Sequence, residues 1–170
     1  MLSPANDVVS FAPISGWGQV VNQGVIVNGQ LGFDTITGSN FGDTIIGGEG
    51  GDVLSGGALG DAFVYEALSD SQYLTSWDRI ADFQQGVDKI DLSAIDANSV
   101  GGTDNDAFTY IGYNAAFTGV AGELAIMGPE YTSAANTYAV LADLDGDGQG
   151  DLRIDISSPT APTVGDIFLW

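Results

Sequence analysis

The sequence predicts an all-β protein: a right-handed parallel β-roll that continues into a β-sandwich-like C-terminal part. Three observations predict it. Four nine-residue repeats run without a gap from Gly29 to Val64. The chain carries 23 acidic residues against three basic ones, yet 44% of it is hydrophobic. Beyond the repeats, β-branched and aromatic runs alternate with Gly and Asn, the pattern of short strands and turns.

The repeats come first because a fixed period governs the whole architecture. They read GQLGFDTIT, GSNFGDTII, GGEGGDVLS and GGALGDAFV. Asp recurs at 34, 43, 52 and 61, and a large apolar residue follows two places later: Ile36, Ile45, Leu54 and Phe63. A flexible glycine linker does not place a hydrophobe at every ninth position. The pattern is close to the glycine- and aspartate-rich nonapeptide of calcium-binding β-helices. Glycine permits the positive φ of a tight turn whose carbonyls point inward. The Asp adds a charged oxygen, and the last three residues form a short strand with its central side chain buried. Two repeats make one coil, so turn one stacks with turn three and turn two with turn four. A cation between stacked turns collects carbonyls and carboxylates from both, the oxygen shell that Ca2+ takes. At least two ions are expected. A third is expected between turn three and the segment ending at Asp70, which keeps the spacing without its glycines.

Composition narrows the chemistry. The net charge is −20, with Arg79, Lys89 and Arg153 the whole basic complement. Nucleic acid and anionic membrane surfaces would be repelled. Cys and His are absent. That removes thiolate chemistry, Ser-His-Asp triads and nearly every zinc site, and leaves oxygen ligands suited to hard cations. No apolar run is long enough to span a bilayer, and Met1 to Ser10 lacks the features of a cleaved signal. The chain is therefore expected to be cytosolic, exported without a cleaved leader, or cut from a longer protein.

Three regions are expected: irregular rungs or a cap over 1–28, the calcium-binding roll over 29–75, and a C-terminal β region over 76–170. In the first, Gln19 to Asn22 and Gly24 to Asn28 look like strands. A brief helix near 66–75 is possible. Ile80, Phe83, Ile90 and Leu92 read as core residues on two short strands joined at Gly86. Further strands are expected at Phe108 to Tyr113, Glu123 to Met127, Thr137 to Leu144 and Leu152 to Ile156.

Other acids invite two readings each. Asp143 to Asp151 begins like a helix–loop–helix calcium loop but has Ile154 where the bidentate Glu belongs, so a hairpin turn competes with an ion site. Asp78, Asp82, Asp88 and Asp91 either form a further site or solvate turns beside Arg79 and Lys89. Trp17, Trp77, Tyr113 and Tyr131 either stack on sugars or pack as core and edge residues. No carboxylate pair stands out as catalytic.

The repeats, Asp-Arg-Ile-Ala-Asp-Phe at 78–83, Gly-Val-Asp-Lys-Ile-Asp-Leu at 86–92, Phe-Thr-Gly-Val-Ala-Gly-Glu-Leu at 117–124 and Leu-Asp-Gly-Asp-Gly at 144–148 together resemble the C-terminal domain of serralysin proteases, a repeats-in-toxin (RTX) calcium-binding module. The resemblance covers about 29–170, and similar modules follow alginate epimerases, lipases and adhesins. It implies a secreted, extracellular protein exported by a type I ABC transporter, with an uncleaved signal near the closing Asp-Ile-Phe-Leu-Trp. It also implies a ligand pattern, in which one turn gives its first and third carbonyls and its Asp, and the turn above gives its second and fourth carbonyls and its Asp. Gly29, Leu31 and Asp34 would then face Gly48, Gly50 and Asp52. Gly38, Asn40 and Asp43 would face Gly57, Leu59 and Asp61. Gly47, Glu49 and Asp52 would face the segment of Asp70. Gln30 and Phe41 depart from the glycine pattern. The protease's zinc motif needs histidine, so catalysis does not carry over.

Three functions compete on this reading: a non-catalytic folding and secretion module behind an upstream catalytic domain, a carbohydrate-binding or cell-surface module, and a small enzyme.

Overall fold

The computed structural model describes residues 4–11, 23–101 and 105–169. Each nonapeptide ends in a three-residue strand. These are β3 (Thr35–Thr37), β4 (Thr44–Ile46), β5 (Val53–Ser55) and β6 (Ala62–Val64). Only the middle side chain of each strand is fully buried, because successive side chains leave opposite faces.

Alternate strands pair in parallel, β3 with β5 and β4 with β6, so the repeats coil with two per turn. Strands from outside the repeats extend both ladders. β1 (Val8–Ser10) lies beside β3, and β2 (Ile26–Asn28) beside β4. β7 (Asp78–Ile80) lies beside β5, and β8 (Lys89–Asp91) beside β6. The run through Gly86 is thus a further turn of the roll, with its two strands in opposite sheets. Gln19 to Asn22 fall outside the described residues; Gly24 to Asn28 ends in β2.

The C-terminal strands are β9 (Thr109–Tyr113), β10 (Glu123–Met127), β11 (Thr137–Asp143), β12 (Leu152–Ser157) and β13 (Ile167–Phe168). β12 joins β7 in parallel, then β11 and β10 follow antiparallel. β9 closes that edge in parallel, with a register shift between Leu124 and Ala125. The result is an eight-stranded sheet, β1-β3-β5-β7-β12-β11-β10-β9, and a five-stranded one, β13-β8-β6-β4-β2. The expected helix near 66–75 is reduced to a 3-10 turn at Leu68–Asp70, and one short helix, α1 (Pro129–Thr132), follows β10.

The core is two files of stacked side chains. Val9, Ile36, Leu54, Ile80 and Ile156 stack along one sheet. Val27, Ile45, Phe63, Ile90 and Ile167 stack along the other. Apart from Val9, which is partly buried, they belong to one buried cluster with Phe83, Leu92, Leu124 and Leu152. Burying these side chains supplies the non-directional part of stability, about 1.5–3 kcal/mol for each large one. It also sets the register that brings the repeat aspartates into line, since a one-residue slip would turn every apolar side chain outward.

Candidate metal centre

Each repeat aspartate sits one residue before its strand, so parallel pairing stacks the aspartates as it stacks the core. Asp52 Oδ1 accepts the amide of Asp34 at 2.7 Å, and Asp78 Oδ1 accepts the amide of Asp52 at 2.8 Å. Asp61 Oδ1 accepts the amide of Asp43 at 2.8 Å, and Asp88 Oδ1 accepts that of Asp61 at 3.1 Å. Asp34 in turn accepts the amide of Asp7 at 2.6 Å, and Asp43 that of Val25 at 2.7 Å. Two columns of buried carboxylates result: Asp34–Asp52–Asp78 under the larger sheet and Asp43–Asp61–Asp88 under the smaller.

One oxygen of each carboxylate is thereby used. The other, Oδ2, is buried with no hydrogen-bond partner in Asp34, Asp52, Asp61 and Asp78. Four orphaned carboxylate oxygens in so small a protein are unusual, since a buried polar atom without a partner costs about 1–3 kcal/mol, more when charged. In Asp34, Asp52 and Asp61 this oxygen points to the glycine that opens the same turn, and Asp78 Oδ2 points to Gly47. A side chain begun on Gly29 would meet Asp34 Oδ2 and the carbonyl of Gly47. One begun on Gly38 would meet Asp43 Oδ2 and the carbonyl of Gly56. On Gly47 it would meet Oδ2 of both Asp52 and Asp78. The nearest polar atoms in these hollows are carboxylate and carbonyl oxygens, so the residues present fit a hard divalent cation such as Ca2+.

The backbone is shaped to the same end. Glu49 N donates to the Gln30 carbonyl at 2.7 Å, which sets turn three on turn one. Ala58 N donates to the Ser39 carbonyl at 3.4 Å, which sets turn four on turn two. Gly48, Gly50 and Gly57 hold positive φ, and so do Gln30 and Leu59 without being glycine. Gln30 therefore keeps the glycine conformation at its departure from the pattern. Phe41 does not appear among the positive-φ residues.

Electrostatics mark the columns too. Burial, with repulsion from the neighbouring carboxylates, pushes Asp52 up to about 6 and Asp61 up to about 7. Burial beside Asp52 lifts Asp78 well above the usual carboxylate range, and burial raises Asp88 as well. The wholly buried hydroxyl of Tyr65 lies against Asp78 and is itself pushed up by burial and by that charge. The Asp43 carboxylate has local donors: Ser39 gives its amide to Oδ2 at 2.5 Å and its hydroxyl to Oδ1 at 2.9 Å.

Asp70 is not the next step of a column. Its Oδ2 accepts the amides of Glu66 and Ala67 at 2.8 and 3.1 Å, although it lies close enough to Asp52 and Asp78 to raise both. The step stacked on turn three belongs to Asp78. Asp78 and Asp88 carry the repeat's own signal, an Asp with a buried apolar residue two places on (Ile80, Ile90). Sequence separation hides them: the steps are 26 and 27 residues, where within the repeats they are 18. Asp82 accepts the amides of Gly56 and Gly57 at 2.9 and 3.1 Å, and Asp91 caps Ser93, so these two hold turns. Lys89 pairs with Asp166 at 3.4 Å, while Arg79 reaches the Ser157 hydroxyl.

A second acidic group lies at the β11–β12 connection. Carboxylate oxygens of Asp143, Asp145 and Asp151 fall within 4.8 Å of one another. The connection is a hairpin in its backbone, between antiparallel strands. Asp143 accepts the amides of Gly146 and Gly148 at 2.7 and 2.9 Å, and Asp151 that of Leu144 at 2.7 Å.

The family described as Peptidase M10 serralysin C terminal matches residues 22–168. The chain belongs to this family. Serralysin C-terminal domains are calcium-binding RTX modules of secreted proteins and are not themselves catalytic. Two solution structures share the fold. One is the R3 subunit of the AlgE6 mannuronan C5-epimerase of Azotobacter vinelandii, 20% identical, covering 99% of this chain and 80% of that one, with a TM-score of 0.61. The other is the R2 subunit of the same enzyme, 22% identical, covering 95% and 91%, with a TM-score of 0.58. No curated protein matches the chain. Among the described residues of this serralysin-type module, no helix is long and apolar enough to cross a membrane.

Proposed function

We propose that this chain folds only when calcium is supplied, that it travels through a type I ABC exporter unfolded, and that it is the C-terminal part of a larger secreted protein such as a serralysin-like protease. The observation that carries this reading is the pair of carboxylate columns with orphaned Oδ2 atoms. Without a counter-charge, six stacked carboxylates repel one another and are poorly hydrated, and the unfolded chain relieves both costs. Bound calcium supplies the positive charge that the three basic side chains cannot.

The residues that would hold it are the first and third carbonyls of turns one to three, the second and fourth carbonyls of turns three and four, and the six column aspartates, Asp78 and Asp88 included. Sites of extracellular type bind at about 10⁻⁴ to 10⁻³ M, above the level of free calcium inside cells. Each site confined to the folded form stabilises it by about 2.7 kcal/mol when calcium is about 100-fold above Kd. Two or three such sites are comparable with a domain's whole net stability of about 5–15 kcal/mol.

Export is tested in a host carrying a type I exporter. The intact chain should appear outside the cell, and the chain lacking residues 166–170 should stay inside. Equal export of both would remove the C-terminal signal from the proposal.

A second reading, a carbohydrate-binding or cell-surface module, is favoured by one observation. Aromatic side chains from two separate segments gather on one surface around Arg153. The subunits that share this fold are parts of an enzyme named for a polysaccharide, mannuronan.

A further inference from the structure

We infer that the surface around Tyr73 and Tyr131 is a binding site for a neutral saccharide; the inference rests on the second reading above and gives it a location and a ligand class. Tyr73 and Tyr131 are joined through their hydroxyls at 2.8 Å, although 58 residues separate them. The Arg153 guanidinium lies 4.2 Å from the Trp77 ring and 5.9 Å from each tyrosine ring. Asp155 fixes it, accepting Nε at 2.8 Å and Nη2 at 3.1 Å, and also accepts the indole N–H of Trp77 at 3.2 Å. The rings are therefore held in place before any ligand arrives, the condition under which exposed aromatics bind at low entropic cost.

The platform opens into two clefts that meet at Tyr73 and Gln149. One, about 290 Å³, runs between Tyr131, Phe117 and Met127. The other, about 330 Å³, runs between Leu74 and the carboxylates of Asp147 and Asp151. Leu74 is 75% exposed at a positive φ of 71°. A bulky residue seldom takes that conformation, and backbone of this kind gathers at ligand sites.

The chemistry selects the ligand. The groove offers apolar faces and many acceptors but few donors, which suits a molecule with C–H faces and several hydroxyl donors. A pyranose chain is such a molecule. A proline-rich peptide also docks in aromatic grooves, but it brings acceptors and lacks donors. A polyanion meets a protein of charge −20.

The test is calorimetric titration of the full chain in calcium with cellohexaose, laminarihexaose and mannohexaose, alongside a mannuronan oligomer and a proline-rich decapeptide. At least one neutral hexasaccharide should bind with a Kd of about 1 mM or tighter, and Tyr131→Ala should weaken it about tenfold. Tyr131 is exposed on α1, and circular dichroism in calcium should show the variant folded; if it does not fold, Gln149→Ala replaces it and should also weaken binding. Neutral-sugar binding that survives these substitutions would overturn the site and leave the carbohydrate reading standing. Binding of the mannuronan oligomer alone would overturn the neutral ligand and leave that reading standing. Tighter binding of the peptide, or no binding of any saccharide, would overturn both.

Discussion

Asp52→Asn should cost about twice as much stability as Asp34→Asn, and only when calcium is present. Asp52 is the middle of its column: it accepts from Asp34 below, and its own amide donates to Asp78 above. It therefore belongs to two proposed sites, where Asp34 belongs to one. Asn is nearly the same shape and keeps an acceptor for the Asp34 amide, so the ladder bond survives and the charge at Oδ2 is what disappears. With each site worth about 2.7 kcal/mol at about 100 times Kd, Asp52→Asn should lose about 5 kcal/mol and Asp34→Asn about half that. In EGTA the sign changes. Asp52 is then a buried charge without a counter-charge, its pKa pushed up to about 6 by burial, so Asn at neutral pH should be neutral or stabilising. Urea unfolding followed by circular dichroism in saturating calcium measures the losses, and the β signal of each variant in EGTA measures the change of sign. Equal losses for the two variants in calcium, or equal losses with and without calcium, would refute the reasoning.

Acid should stabilise the calcium-free fold. Asp52 and Asp61 are raised from 3.8 to about 6 and about 7, so their unfavourable contribution is absent below about pH 4, grows as pH rises, and is complete above about 7; the β signal of the chain in EGTA should fall across that window. Gly50→Ala should destabilise by well over about 1 kcal/mol, because φ is +143° and the new methyl would meet the Gly32 carbonyl. Gly86→Ala, at φ +78° with open space around it, should cost only the backbone strain, about 1–2 kcal/mol. Phe63→Ala, at the centre of the smaller sheet's file, should cost about 3–5 kcal/mol in calcium denaturation curves.

The roll was legible because its period is local. Asp34, Asp43, Asp52 and Asp61, each with a hydrophobe two places on, prescribe both the strand and the stacking with no knowledge of the rest of the chain. The pairing of turn one with turn three followed from two repeats per coil, and β3 on β5 is that pairing. What lay beyond the period was harder to read. Asp70 keeps the nine-residue spacing, but no glycine turn precedes it, and its carboxylate is taken by the amides of Glu66 and Ala67. The intervening 3-10 turn displaces the column to Asp78, and only the Asp-Arg-Ile triplet pointed there. Likewise Asp143 to Asp151 spelled both a hairpin and a carboxylate cluster, and both are present in one loop. The gathering of Tyr73, Trp77 and Tyr131 around Arg153 had no sequence signature, since β12 brings Arg153 to Tyr73 and Trp77 from some 80 residues away.

Titrating calcium into the EGTA-treated chain, with far-ultraviolet circular dichroism as the readout, asks most directly whether the carboxylate ladder governs folding. A disordered spectrum that turns cooperatively into a β spectrum as calcium rises, and returns when chelator is added, is the predicted result. A β spectrum of full amplitude in excess chelator at neutral pH, unchanged by calcium, would contradict the account.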